Sequence, residues 1–164
     1  MPGGGSAGLR GIAMAGPDAA PPACDPAREP ALARVIRARE VVAGKSTAQI
    51  AAIIRRECES AYGTTWIRAY RLAMGIALAD VVAQVRACYA AEGRNVPRFS
   101  ETLLSAYESG QKRPGPEYLH YLCAVYRADP QELGYEGRCF CGRAHAPEPG
   151  AAAPARTPPP ITPR

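Results

Sequence analysis

The segment at residues 103–126 reads LLSAYESGQKRPGPEYLHYLCAVY. Leu103, Leu104 and Tyr107 fall at helical spacing and face one way. Glu-Ser-Gly closes that helix, because Gly110 accepts the left-handed conformation in which helices commonly stop. A second helix starts at Pro116, where the missing amide of proline removes no hydrogen bond. Its apolar seam is Leu119, Leu122, Cys123 and Tyr126. Between the two helices lies a short basic turn. Glycine and proline suffice to make a turn; Lys112 and Arg113 add something that folding does not require.

The other side of the first of these helices carries Glu101, Thr102, Ser105, Ala106 and Ser109. A solvated helix face normally holds long charged side chains. This one is polar and almost entirely small, so a partner can come close to the backbone. A DNA major groove, about 12 Å wide, is one such partner; another helix of the same protein is the alternative.

Helical periodicity continues upstream, and strand signals are nearly absent. Leu32, Val35, Ile36 and Val42 form a first apolar stripe closed by Gly44. Ser46 or Thr47 caps a helix that turns Ile50, Ile53, Ile54 and Cys58 inward. Thr64 or Thr65 caps the next, with Ile67, Tyr70 and Met74 on one side and Gly75 at its end. Leu78, Val81, Val82, Val85 and Tyr89 make one continuous seam. Ser100 caps the helix that opened this reading. Past Tyr126, DPQEL has an Asp cap, a first-turn proline and Glu132 three residues after the cap, a capping-box pattern. The fold class expected is all-α, a compact helical bundle. AGKST at 43–47 is not a phosphate-binding loop, since position 39, where that motif needs glycine, is Arg39.

Residues 1–30 and 146–164 are rich in glycine, proline and alanine and poor in large apolar side chains. They bury too little surface to offset chain entropy, so disordered tails are expected there. The formal net charge is +5, and charges in those tails cancel, which leaves the excess on the folded part and favours a polyanionic partner. No apolar run is of signal-peptide or membrane-spanning type, so a cytoplasmic location is expected, without membrane association. The six cysteines are then reduced thiols or metal ligands rather than a disulfide framework.

The stretches RLAMGIALADVVAQV and FSETLLSAYESGQKRPGPEYLHYLCAVYRADPQELG resemble the lambda-repressor-like, or xenobiotic-response-element (XRE) type, helix-turn-helix domain. RPGPEYL followed by LC, Tyr and LG is similar to regulators of filamentous actinobacteria. The resemblance covers about residues 66–135 and is most specific from Ser100 to Leu122. It implies a DNA-binding transcription regulator, nucleoid-associated, acting on double-stranded DNA. Glu101, Thr102, Ser105 and Ala106 would face bases. Lys112 and Arg113 would touch phosphates, and Arg71 would pair with Glu108.

Two departures accompany the resemblance. About a dozen extra residues, near 86–99, separate the second and third helices of the motif, which are usually joined by about three. Arg94 and Arg98 in that insertion either add phosphate contacts or are solvated loop charges. The base-facing positions also lack Arg, Gln and Asn, so the strong bidentate base pairings, about 1–3 kcal/mol of discrimination each, are missing. Ala77 and Leu78 stand where the family often has a capping Ser or Thr and a phosphate-binding Gln.

CFCGRAH places Cys139, Cys141 and His145 within seven residues. Thiolates and imidazole at that density can bind zinc, and Cys123, Cys88 or Cys58 could supply the fourth ligand the metal requires. A reduced thiol pair or a redox-sensing pair is the alternative reading. No nucleophile and base group together, so no enzyme is expected. The organisation expected is a tail at 1–30, a helical pair at 31–64, the helix-turn-helix domain at 65–137, a Cys/His segment at 138–145 and a tail at 146–164. Under the DNA-binding reading a homodimer on a pseudo-palindrome follows. The competing reading is a protein-interaction module, in which the first two helices are a docking surface.

Overall fold

A computed structural model describes residues 27–95 and 98–147 of the chain. Among the described residues six helices follow one another: α1 (Arg28–Val42), α2 (Thr47–Tyr62), α3 (Trp66–Met74), α4 (Leu78–Ala91), α5 (Glu101–Glu108) and α6 (Pro116–Tyr126). No strand occurs among the described residues, and the chain is an all-α bundle. No single described helix is long and apolar enough to cross a membrane. The expected tails lie outside the described residues over 1–26 and 148–164.

Residues 28–30 correct the boundary drawn from composition. They begin α1, and Glu29 is among the most buried side chains of the molecule. The apolar stripe expected on α1 is also displaced. Ile36 is buried, but Leu32, Val35 and Val42 are exposed, and the inward face is Glu29, Ala33, Ile36 and Glu40. Apolar periodicity missed this face because half of it is carboxylate, held inward by ion pairs: Glu29 with Arg68, and Glu40 with Lys45 and Arg39.

The remaining helices start and stop where their capping residues dictate. Ser46 forms a capping box with Gln49, each side chain bonded to the other residue's amide. Thr65 caps α3, and Ser100 caps α5 by accepting from the Leu103 amide at 3.2 Å. Ala77 has no side chain with which to cap α4, but Asp80 reaches back to its amide at 3.0 Å. The DPQEL segment does not become a helix. It makes one turn, closed by Leu133 N–H to Asp129 O at 3.3 Å, with Glu132 accepting from the Asp129 amide at 2.8 Å. Gly134, at φ +81°, ends it; a Cβ there would meet the Trp66 ring at 2.7 Å, so only glycine seats this turn against α3.

One apolar core runs from Ala33 to Leu133 and joins both expected units. Tyr70, Tyr89, Tyr121, Tyr126, Phe99, Ile54 and Leu104 are its largest enclosed side chains. α2 packs along α3, and α4 packs on both α5 and α6. The segment between α4 and α5 contributes Phe99 to this core. Phe99 is fully buried with its ring 5.2 Å from that of Tyr118, and Arg86 donates to its carbonyl at 2.9 Å. Burying a side chain of this size contributes roughly 1.5–3 kcal/mol.

Candidate functional site

α5 is held from behind and open in front. Leu104, Tyr107 and Glu108 are buried, whereas Glu101, Thr102, Ser105 and Ser109 are exposed and Ala106 is half-buried. The exposed residues line a shallow groove together with Leu78 at the start of α4 and with Lys112. Its place is fixed by the end of α5: the Lys112 amide donates to the Ala106 carbonyl at 3.0 Å, across Gly110 at φ +72°.

The back of α5 is tied to α3 by a bidentate ion pair. Arg71 Nε donates to Glu108 Oε1 at 2.5 Å and Nη2 to Oε2 at 2.8 Å. Arg71 Nη1 also donates to the Ile76 carbonyl at 3.2 Å, and Thr65 Oγ1 donates to the Glu108 carbonyl at 2.9 Å. Burial works against the Arg71 charge, but the hydrogen bond and charge of Glu108 outweigh it, so the guanidinium pKa lies above its ordinary value.

The other basic residues named from sequence divide. Arg113 is exposed and its guanidinium carbon lies 5.4 Å from the centre of the Tyr135 ring, within cation–π range. It lines a second groove with Pro116, Tyr135 and Phe140 rather than the one along α5. Arg94 is engaged within the fold. Its Nη1 donates to the Tyr121 hydroxyl at 2.8 Å and its Nη2 to Glu117 at 2.5 Å, while Tyr121 donates to Glu92 at 2.5 Å. These bonds tie the segment after α4 to α6. Arg98 is exposed two residues before the α5 cap.

A second constellation lies beyond α6. His120 Nδ1 is 3.1 Å from Cys139 Sγ, and Cys141 Sγ is 3.3 Å from His145 Nε2. The four ligand atoms all lie within 4.8 Å of one another. Cys139, Cys141 and His145 are the residues expected from sequence; the fourth member is His120 of α6, not Cys123, Cys88 or Cys58. Cys123 is enclosed in the core, where burial pushes its thiol up to about 12. Burial, then the nearby His145, lower the His120 pKa and favour neutral imidazole. Burial raises the Cys139 thiol, with the backbone amide of Cys141 acting in the opposite direction. The spacing gave no hint of His120, because nineteen residues and two turns separate it from Cys139. The available signal was different: the chain has two histidines, and both arrive at the same cysteines.

Compared with protein-family models, curated proteins and solved structures, the chain matches none.

Proposed function

We propose that this protein is a DNA-binding transcription regulator that lays α5 in a major groove, as the XRE-type resemblance implies. One observation carries the reading: the small-residue face of α5 stays open and shares its groove with Lys112, while the opposite face is locked into the core. A helix presented in this way can approach base edges closely, and a cation at its end suits the neighbouring phosphate. The +5 net charge supplies attraction without sequence preference. On this reading Glu101 would accept from a cytosine amino group, and the Thr102 methyl or Ala106 would meet a thymine methyl. So few polar contacts suit a homodimer reading two half-sites, and the exposed Leu32, Val35 and Val42 of α1 offer an apolar surface for a second copy. The protein would act in the cytoplasm on the nucleoid.

The second reading is a protein-interaction module. Glu101 on the groove and the absence of Arg, Gln or Asn at its base-facing positions favour it. Genome-wide occupancy of the full chain against a Lys112→Ala/Arg113→Ala double variant separates the two. Discrete peaks that fade in the double variant support DNA binding. No enrichment anywhere, with a stable protein partner recovered from the same cells, supports the module.

A further inference from the structure

The four side chains gathered between α6 and the segment after it have the composition of a metal site. Two thiols and two imidazoles converge, with no carboxylate among the donors. A tetrahedral zinc ion with Zn–S about 2.3 Å and Zn–N about 2.0–2.1 Å separates its ligand atoms by roughly 3.3–3.8 Å. Here two of the pairs stand at 3.1 and 3.3 Å, and no pair exceeds 4.8 Å. Side-chain rotation of under about 1 Å closes the remaining difference, which is within rotamer adjustment.

The backbone around the cluster is arranged for it as well. Gly142, at φ +70°, lets its amide donate to the Cys139 carbonyl at 2.9 Å, which curls the loop so that both cysteines face one side. The Arg143 amide lies 3.4 Å from Cys141 Sγ, a donor that favours thiolate. The His145 amide is held by Asp129 Oδ1 at 2.8 Å, which fixes the far end of the loop to the turn after α6. Three ligands therefore come from one tethered loop and the fourth from a core helix.

We infer that His120, Cys139, Cys141 and His145 bind one zinc ion, which cross-links the segment after α6 to that helix. The donor set selects zinc over magnesium or calcium, which take oxygen. All four protein positions are filled, so the site is structural, with no place for a reacting water. The segment needs such a link. Its Phe140 is 61% exposed, and Cys139 is the one apolar side chain of residues 138–147 that is buried. This inference stands apart from DNA binding and holds for either proposed function.

The test uses the full chain purified under reducing conditions. Elemental analysis should find about one zinc per chain. After chelation, cobalt(II) should restore one equivalent, with the thiolate charge-transfer and intense visible bands of a tetrahedral sulfur–nitrogen site. His120→Ala and Cys141→Ser should each weaken zinc by more than about 100-fold, beyond the 10–100-fold typical of outer-shell changes. Cys88→Ser, on α4, should keep full stoichiometry. Chelation should also speed tryptic cleavage after Arg138 and Arg143, both exposed, the first just before the loop and the second within it. Substoichiometric zinc after reconstitution, or a Cys139–Cys141 disulfide that persists in the reduced preparation, would overturn the site. A wild-type cobalt spectrum in His120→Ala would overturn the four-ligand assignment. Helical circular dichroism, followed on every variant, separates lost metal from lost fold.

Discussion

Arg68 and Arg71 sit one turn apart on α3, and each holds a buried carboxylate from a distant part of the chain. Arg71 grips Glu108 at the end of α5 with both carboxylate oxygens engaged; its side chain is 13% exposed and that of Glu108 1%. Arg68 pairs with Glu29 at the start of α1, and Thr64 donates to the same carboxylate at 2.5 Å. Glu29 is 2% exposed, but Arg68 is 27% exposed. The difference lies in what remains when one partner goes. Arg71 is the more enclosed of the two cations, whereas Arg68 reaches further into solvent. The more enclosed pair holds the helix proposed to read DNA, and the leakier pair holds the helix whose apolar face is open.

The largest effect is therefore expected at Arg71 and Glu108. Either Arg71→Ala or Glu108→Ala leaves an uncompensated charge inside the core and should cost about 3–5 kcal/mol. Urea unfolding followed by circular dichroism reads this directly. Against a total of about 5–15 kcal/mol for a domain of this size, the single variants should be close to unfolding at 37 °C. The double variant Arg71→Leu/Glu108→Leu should recover much of the loss, because no charge is left behind. A double variant as unstable as the singles would show that geometry at the end of α5, not charge, is what the pair supplies.

Glu29→Gln should cost less, about 1–3 kcal/mol, since it weakens the bond from Thr64 and frees an arginine that reaches solvent. Equal losses at Glu29 and Glu108 would erase the distinction drawn between the two pairs. Ser100→Ala comes next, at about 1 kcal/mol for a lost helix cap. It should also loosen the first turn of α5, seen as faster amide exchange at Leu103, whose N–H the Ser100 hydroxyl accepts.

The two pairs also differ in how visible they were. Arg71 and Glu108 were named as a pair only through the resemblance drawn from the sequence. Glu29 follows a run of alanine, proline and glycine, and composition assigned it to a tail; a carboxylate at the head of an amphipathic helix gives no apolar period to detect. Caps fared better than faces. Ser46, Thr65 and Ser100 cap because a short hydroxyl side chain reaches an amide two or three residues on, a local property that three or four residues reveal. Burial is set by what packs opposite, and so Val35 and Val42 stay in solvent although their period is helical. His120 was hidden for the same reason: its partners come from a loop that returns to α6 only after the chain has turned at Gly134 and Gly137.

The smallest change in stability is expected where the functional effect is greatest. Lys112→Ala and Arg113→Ala alter exposed side chains and should move stability by less than about 0.5 kcal/mol. Under the DNA-binding proposal, their effects on DNA should separate. Lys112 lines the α5 groove, so its loss should lower affinity across sequences and reduce the slope of log K against log salt by about 0.9. Arg113 stacks toward Tyr135 beside α6, away from that groove, so its loss should change the slope by clearly less. Fluorescence anisotropy on a duplex, repeated over a range of salt, measures both. A larger slope change for Arg113 would mean that the phosphate rail runs past α6 rather than along the end of α5. The docking surface would then move to the Arg113–Tyr135–Phe140 side, next to the histidine–cysteine cluster.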